Sequence, residues 1–315
     1  MRHKNHRMKV CAAVLLMVTP LIGPGFPLPQ ERLAAAQAVV KHIDNVIIRQ
    51  VDHVLLVTPD NGRTLVSLLT DRLAMPIVWP QPGSEWKAST GISLGNVNLE
   101  VFHRELPAQG QPPRVPRISS LALQPTDLKV ALNELRSGGI AHHPPPEPRP
   151  GNAGDPLPRW TTVGLSGFGH GLFLIQYIFD MDERRSRFDR VLRERDGGPL
   201  GVVRVLEVAI APDRIDEVKA QWVKLLGPST SGEADLWIVG DGPKIRLVRP
   251  GDARAGNFVV EVKDLSRAAR ALRRLKISAH TTSGQIRIDP EAMSGLRLVL
   301  EEKKPPVRSR KNSSD

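Results

Sequence analysis

Four stretches of the chain share one alternation of apolar and polar positions. VDHVLLVTPDNGRTLVSLLTDRL (51–73), ISSLALQPTDLKVALNELRSGG (118–139), VLEVAIAPDRIDEVKAQWVKLLG (205–227) and NFVVEVKDLSRAARALRRL (257–275) each open on an apolar run of strand type. A short polar turn follows, then a segment with apolar residues at helical spacing, such as Leu128, Ala131, Leu132 and Leu135. Asp60, Thr126, Asp213 and Asp264 stand where a helix begins and are expected to satisfy its first free N–H groups. Gly138-Gly139 and Gly227 are expected stops.

Short strand-like runs follow each helix. They are 76–80, 87–95 and 97–102 in the first stretch, and 159–167 and 171–179 in the second, with something short near Ile140. The third has 234–240 and 244–249, and the fourth 285–290 and 296–301. The pattern predicts an α+β protein built from four β-α-β-β-β modules. A helix covers one face of such a module, so the other face must meet a second module or line a cavity. Two modules facing each other enclose one, so the modules pair as 46–180 and 200–302. The proline-rich stretch 142–158 is expected to be a surface insertion, and the charged stretch 181–199 a linker between the halves.

Composition changes this picture at the ends. The net charge is +11, but Arg2, Lys4, Arg7 and Lys9 crowd the start, and Lys303, Lys304, Arg308, Arg310 and Lys311 the tail at 303–315. No basic patch is interleaved with aromatic residues, which argues against a nucleic-acid partner. Residues 10–23 form an apolar run of signal-peptide length, too short for a comfortable membrane span, and Ala34 and Ala36 fit a small-x-small cleavage pattern. A leader over 1–36 implies export to the periplasm or medium, with no membrane span once it is removed. A mis-assigned start would leave the protein in the cytoplasm. The single cysteine, Cys11, lies in the leader, so the body has neither disulfide nor thiol chemistry.

Two polar residues stand out in strand-like runs. His53 lies in an apolar strand, and a buried ring needs partners for its nitrogens. Strict alternation puts it on a face with Val51, Leu55 and Val57. Glu100, flanked by Leu99 and Val101, shares a face with Asn98 and Phe102 and needs a partner if it points inward. There is no Ser-His-Asp grammar, phosphate loop or zinc-cysteine pattern.

VDHVLLVTPD, SLGNVNLEVF, RWTTVGLSG and FLIQY, in this strand-helix order, resemble the vicinal oxygen chelate superfamily, which includes glyoxalase I, bleomycin-resistance proteins and extradiol dioxygenases. The resemblance is stronger over 51–180 than over 200–302. It implies two half-barrel domains and, in the enzymes, a divalent metal (Fe, Mn, Ni or Zn) that binds vicinal oxygens of a small organic molecule. The implied metal ligands are His53, Glu100 and Gln176, the last by registering FLIQY on NLEVF, and Glu100 could also act as the catalytic base. Ser119 falls opposite His53 and is a poor ligand. Trp79, Phe102, Trp160, Thr162 and His170 are candidate substrate contacts. The activities that fit are lyase, isomerase and dioxygenase. The alternative is a binding protein of the bleomycin-resistance type with no chemistry. Paired modules make a swapped dimer unnecessary and leave a homodimer open. The third and fourth modules lack His and Glu at the matching positions and are expected to form a degenerate partner domain.

Overall fold

A computed structural model describes residues 47–80, 88–103, 116–145, 160–229, 233 and 235–302. The expected leader, the basic tail and most of the proline-rich insertion lie outside the described residues. Fourteen strands form two seven-stranded sheets. The first sheet holds β1 (Ile48–Val57), β2 (Ile77–Trp79), β3 (Ser89–Ser93), β4 (Asn98–Phe102), β5 (Arg117–Pro125), β6 (Trp160–Leu165) and β7 (Gly171–Tyr177), in the spatial order β2-β3-β4-β1-β5-β7-β6. The second holds β8 (Val202–Ile210), β9 (Leu236–Trp237), β10 (Lys244–Leu247), β11 (Asn257–Val262), β12 (Ala279–Thr282), β13 (Gln285–Ile288) and β14 (Arg297–Glu302), in the order β12-β13-β14-β11-β8-β10-β9.

Both sheets use one pairing scheme. The first strands of two modules lie antiparallel at the centre (β1 with β5, β8 with β11). The last strand of each module runs parallel to its first (β4 to β1, β7 to β5, β10 to β8, β14 to β11). The second and third modules contribute three strands each. In the second, a single bridge from His142 to Leu165 stands where a further strand was expected near Ile140. Pro144 and Pro145 follow at once and have no N–H for a ladder.

Each module carries one helix: α1 (Arg63–Ser67, continued by a π turn over Leu68–Arg72), α2 (Leu128–Ser137), α4 (Ile215–Leu226) and α5 (Leu265–Arg274). Asp264 caps α5 by accepting the Arg267 N–H. In α2 the cap is Asp127, which accepts from Val130, rather than Thr126. Asp213 precedes a helix whose cap residue, Arg214, makes no side-chain capping bond.

Leu56, Leu99, Val101, Leu121, Leu123 and Leu174 join the helices in one apolar core that also includes Val205, Phe258 and Leu300 of the second sheet. The other face of the first sheet is polar at its centre, with Gln50, His53, Asn98, Glu100 and Gln124 all buried. Buried polar groups on this scale need mutual partners.

The charged stretch after Phe179 folds as helix α3 (Met181–Glu194), capped by Asp180, which buries Met181, Phe188 and Leu192. The two sheets are stitched by Asn96, which donates to the Val205 carbonyl at 3.0 Å and accepts the Val205 N–H at 2.9 Å. Trp222 of α4 is fully buried, edge-on to Phe168 and stacked on His170. Trp222→Ala is expected to cost about 3–5 kcal/mol in urea unfolding, because the cavity opens between rings with little room to collapse. Among the described residues no helix is long and apolar enough to cross a membrane.

Candidate functional site

The polar face of the first sheet centres on His53. Register fixes how it gets there. Val51 pairs with Leu123 on the core face, whereas His53 pairs with Ala122 on the polar face, so Asp52 is the extra residue of a β-bulge. The bulge corrects the expected alternation: Val51 enters the core and Asp52 and His53 lie together. The Asp52 carboxylate meets His53 Nδ1 at 2.6 Å, and Glu100 Oε2 lies 3.1 Å from His53 Nε2. A carboxylate, an imidazole and a second carboxylate thus form one chain across β1 and β4.

Each member is held from behind. Asp52 accepts from Tyr177 Oη at 3.0 Å and from Arg185 of α3 at 3.0 Å. Arg185 also donates to the carbonyls of Val51 and Asn96, so it pins the bulge itself. Glu100 Oε1 accepts from the Ser89 hydroxyl at 2.6 Å. Ser89 in turn accepts from Trp79 Nε1 at 3.2 Å. The Trp79 ring lies directly over Gly91, where a Cβ would come within 2.2 Å of it. Trp79 and Phe173 both stand edge-on to the His53 ring, with centroids 5.8 and 5.7 Å away.

Electrostatics follow from this packing. Burial opposes charge on His53, but the hydrogen bonds and charges of Asp52 and Glu100 outweigh it and raise its pKa to about 9. Burial also acts against the Asp52 carboxylate; its bond to His53 and the charges of His53 and Arg185 prevail and hold it at about 2. Burial, then the Asp52 charge, pushes the Tyr177 hydroxyl up, so it serves as a neutral donor. Both ring nitrogens meet carboxylates, an arrangement that favours the imidazolium. The group it presents forward is the Glu100 carboxylate.

The candidate residues named from sequence divide by strand parity. Phe173 and Tyr177 reach His53 and Asp52, so the alternate residue Gln176 lies on the opposite face of β7. Its Nε2 donates to the Tyr177 carbonyl, and its Oε1 is buried without a partner. Gln176 is therefore not brought to His53 and Glu100. The structure places Phe173 and Ser120 of the second module beside β1 on the polar face, and neither is a strong metal donor. Trp79, Phe102, Trp160 and Thr162 share the polar face through their pairing with Gly91, Ser89, Tyr177 and Ile175. His170 faces away; burial lowers its pKa to about 4, and it packs on Trp222 instead. Asp52, Ser89 and Arg185 went unnoticed in the sequence. His143, whose ring lies against Gly164 beside Phe173, falls in the stretch 142–158 that was expected to be a surface insertion.

The module scheme also appears in solved structures. The chain superposes on a 2,3-dioxygenase from Pseudomonas sp. KL28 with a TM-score of 0.50 and 12% identity, over 82% of this chain and 93% of that one. A variant of 4-hydroxymandelate synthase from Streptomyces coelicolor gives a TM-score of 0.53 at 15% identity, over 81% and 92%. Homoprotocatechuate 2,3-dioxygenase from Arthrobacter globiformis gives 0.50 at 12%, over 82% and 80%. The chain shares the fold of these enzymes, as the resemblance read from the sequence implies. No family model and no curated protein matches the chain. At these identities the vicinal oxygen chelate likeness establishes architecture and leaves the reaction to the site residues.

A divalent metal is implied by the vicinal oxygen chelate fold, and the donor set tests it. His53 Nε2 and Glu100 Oε2 converge, and Asp52 on Nδ1 is the kind of outer partner that a ligating histidine has. Catalytic metal sites take three protein donors as a rule. Among the described residues no group of three or more His, Cys, Asp or Glu side chains is arranged to hold an ion. Metal would also have to displace the proton from a ring with a pKa of about 9, a cost on the order of 3 kcal/mol at pH 7. The described residues do not complete a metal shell.

Proposed function

We propose that the polar face of the first sheet binds a small oxygen-bearing organic molecule, with Glu100 as its acid–base group. The observation that carries this reading is the Asp52–His53–Glu100 chain: a carboxylate in contact with a buried imidazole ring, itself in contact with a buried carboxylate. The imidazolium holds Glu100 in place and can return a proton to it. Glu100 can take a proton from a bound molecule, as isomerase and lyase reactions require. Trp79, Phe102, Phe173 and Trp160 give the same face apolar, aromatic contacts for a flat ligand. The fold supports the class: neighbours include enzymes named for catechol and homoprotocatechuate, both small molecules.

A binding role without turnover is the second reading, favoured by the incomplete metal shell. The two separate by experiment. Thermal-shift screening of aromatic diols, hydroxy acids and ketones against the natively purified protein is expected to find ligands that stabilise it. Wild type and Glu100→Gln are then compared for binding and for exchange of ligand C–H with deuterium from solvent. Ligands bound by both proteins, with exchange about 100-fold slower in Glu100→Gln, support catalysis. Binding without exchange in either protein supports the sequestering role. Ligands that bind equally well after His53→Ala and Trp79→Ala would remove the site from consideration.

A further inference from the structure

The second sheet was expected to form a degenerate partner domain, yet its polar face lines an open-sided cavity of about 300 Å³. Register defines its floor. Lys244 pairs with Glu207, Glu207 with Val259, Val259 with Val299 and Val299 with Arg287. These five positions therefore make one row across β10, β8, β11, β14 and β13, and all five line the cavity.

The charges along that row are not equivalent. Glu207 is taken by Arg246, which holds it through Nε at 2.6 Å and through a second nitrogen at 2.9 Å. Arg246 spends its remaining reach on Glu233 at 2.6 Å. Glu301, also in the cavity, accepts from Gln285 at 2.6 Å. Arg254 at the rim is closed on Asp252. The carboxylates of the cavity are thus engaged. The side chains of Lys244 and Arg287, at the two ends of the row, make no hydrogen bond or ion pair with any described residue; Lys244 acts on exposed Glu233 only at longer range. Between them lie Glu207, taken up by Arg246, and then Val259 and Val299, which offer an apolar stretch of floor.

The carboxylate within the row is paired, and one unpaired cationic side chain is left at each end. We propose that this cavity binds an organic dianion, a dicarboxylate whose two ends meet Lys244 and Arg287 and whose apolar body lies over Val259 and Val299. Arginine suits one carboxylate as a planar fork and lysine suits the other as a point charge. A volume of about 300 Å³ is at the small end for ligand pockets and fits a compound of this size. The site is independent of the His53–Glu100 chain, which lies on the other sheet.

The test is calorimetric titration of the full chain with terephthalate and suberate, with benzoate and neutral terephthalamide as controls. Both dicarboxylates are expected to bind at one per chain, benzoate about tenfold more weakly, and the diamide not at all. Lys244→Ala and Arg287→Ala should each weaken terephthalate about tenfold. Both side chains are at least partly exposed, so the urea midpoint should stay put. Glu100→Gln should leave the affinity unchanged. The proposal fails if neither dicarboxylate saturates the protein by about 10 mM, a bound weaker than any useful site. It fails equally if binding survives both cation deletions, or if Glu100→Gln abolishes it, which would assign the dicarboxylate to the first sheet.

Discussion

Asp52→Ala is expected to destabilise the protein by about 3–5 kcal/mol, the usual cost of deleting one partner from a buried charge network. The loss is large because three groups depend on that carboxylate. His53 Nδ1, Tyr177 Oη and Arg185 would all be left buried without it. Asp52→Asn keeps the shape and a hydrogen-bond acceptor but removes the charge that holds the ring protonated, so it should cost less than alanine. The pH profile gives a second readout. His53 is raised from 6.5 to about 9 on folding, so its contribution is complete below pH 6.5 and is lost as pH climbs through 9. Asp52 is lowered from 3.8 to about 2, so its contribution is complete above pH 3.8 and is lost as pH falls through 2. Wild type should therefore be most stable between about pH 4 and 6.5 as far as this pair is concerned, and decline on the alkaline side by an amount on the order of 3 kcal/mol. In Asp52→Asn the alkaline decline should shrink. Urea midpoints measured from pH 4 to 10 on both proteins check this, and an alkaline slope identical in the two would show that Asp52 does not govern the ring.

Phe173→His is expected to turn a weak metal site into a strong one. Phe173 stands edge-on to His53 on the neighbouring module, where a third donor would have to come from. Imidazole is close to phenyl in size, is neutral at pH 7 and binds zinc, nickel and manganese-like ions well. With His53, Glu100 and the new ring, the site would hold three protein donors. Wild type should gain little from added zinc. The variant, at a zinc concentration about 100 times its dissociation constant, should gain about 3 kcal/mol in unfolding free energy. Equal stabilisation of both proteins by the same zinc would mean that wild type already has a full shell, and the reading of an incomplete site would fall.

Much of the architecture is written in local patterns that survive folding unchanged. Strand alternation and helical spacing are set residue by residue, so the four modules and most of their strands were readable along the chain. His53 and Glu100 stood out because a titratable group within an apolar strand is conspicuous wherever it ends up. Asp52 was hidden by the same rule that exposed its neighbour. Strict alternation sends adjacent residues to opposite faces, and only the bulge opposite Leu123 and Ala122 brings Asp52 and His53 together. Gln176 was misplaced because aligning FLIQY on NLEVF fixes residue order and leaves the pleat undetermined. Continuous pairing with β5 and β6 then puts Phe173 on the polar face and Gln176 on the other. Arg185 belongs to a stretch that reads as a charged connector. Its role depends on a contact with Asp52 across 133 positions, which no local pattern encodes.

The most direct measurement is nitrogen-15 NMR of the histidine side chains in natively purified protein at pH 7, with metal content determined on the same sample. The Asp52–His53–Glu100 chain predicts that Nδ1 and Nε2 of His53 both carry protons and that metal is far below one per chain. A deprotonated Nε2 with the shift of a metal-bound imidazole, in protein containing one equivalent of metal, would contradict it.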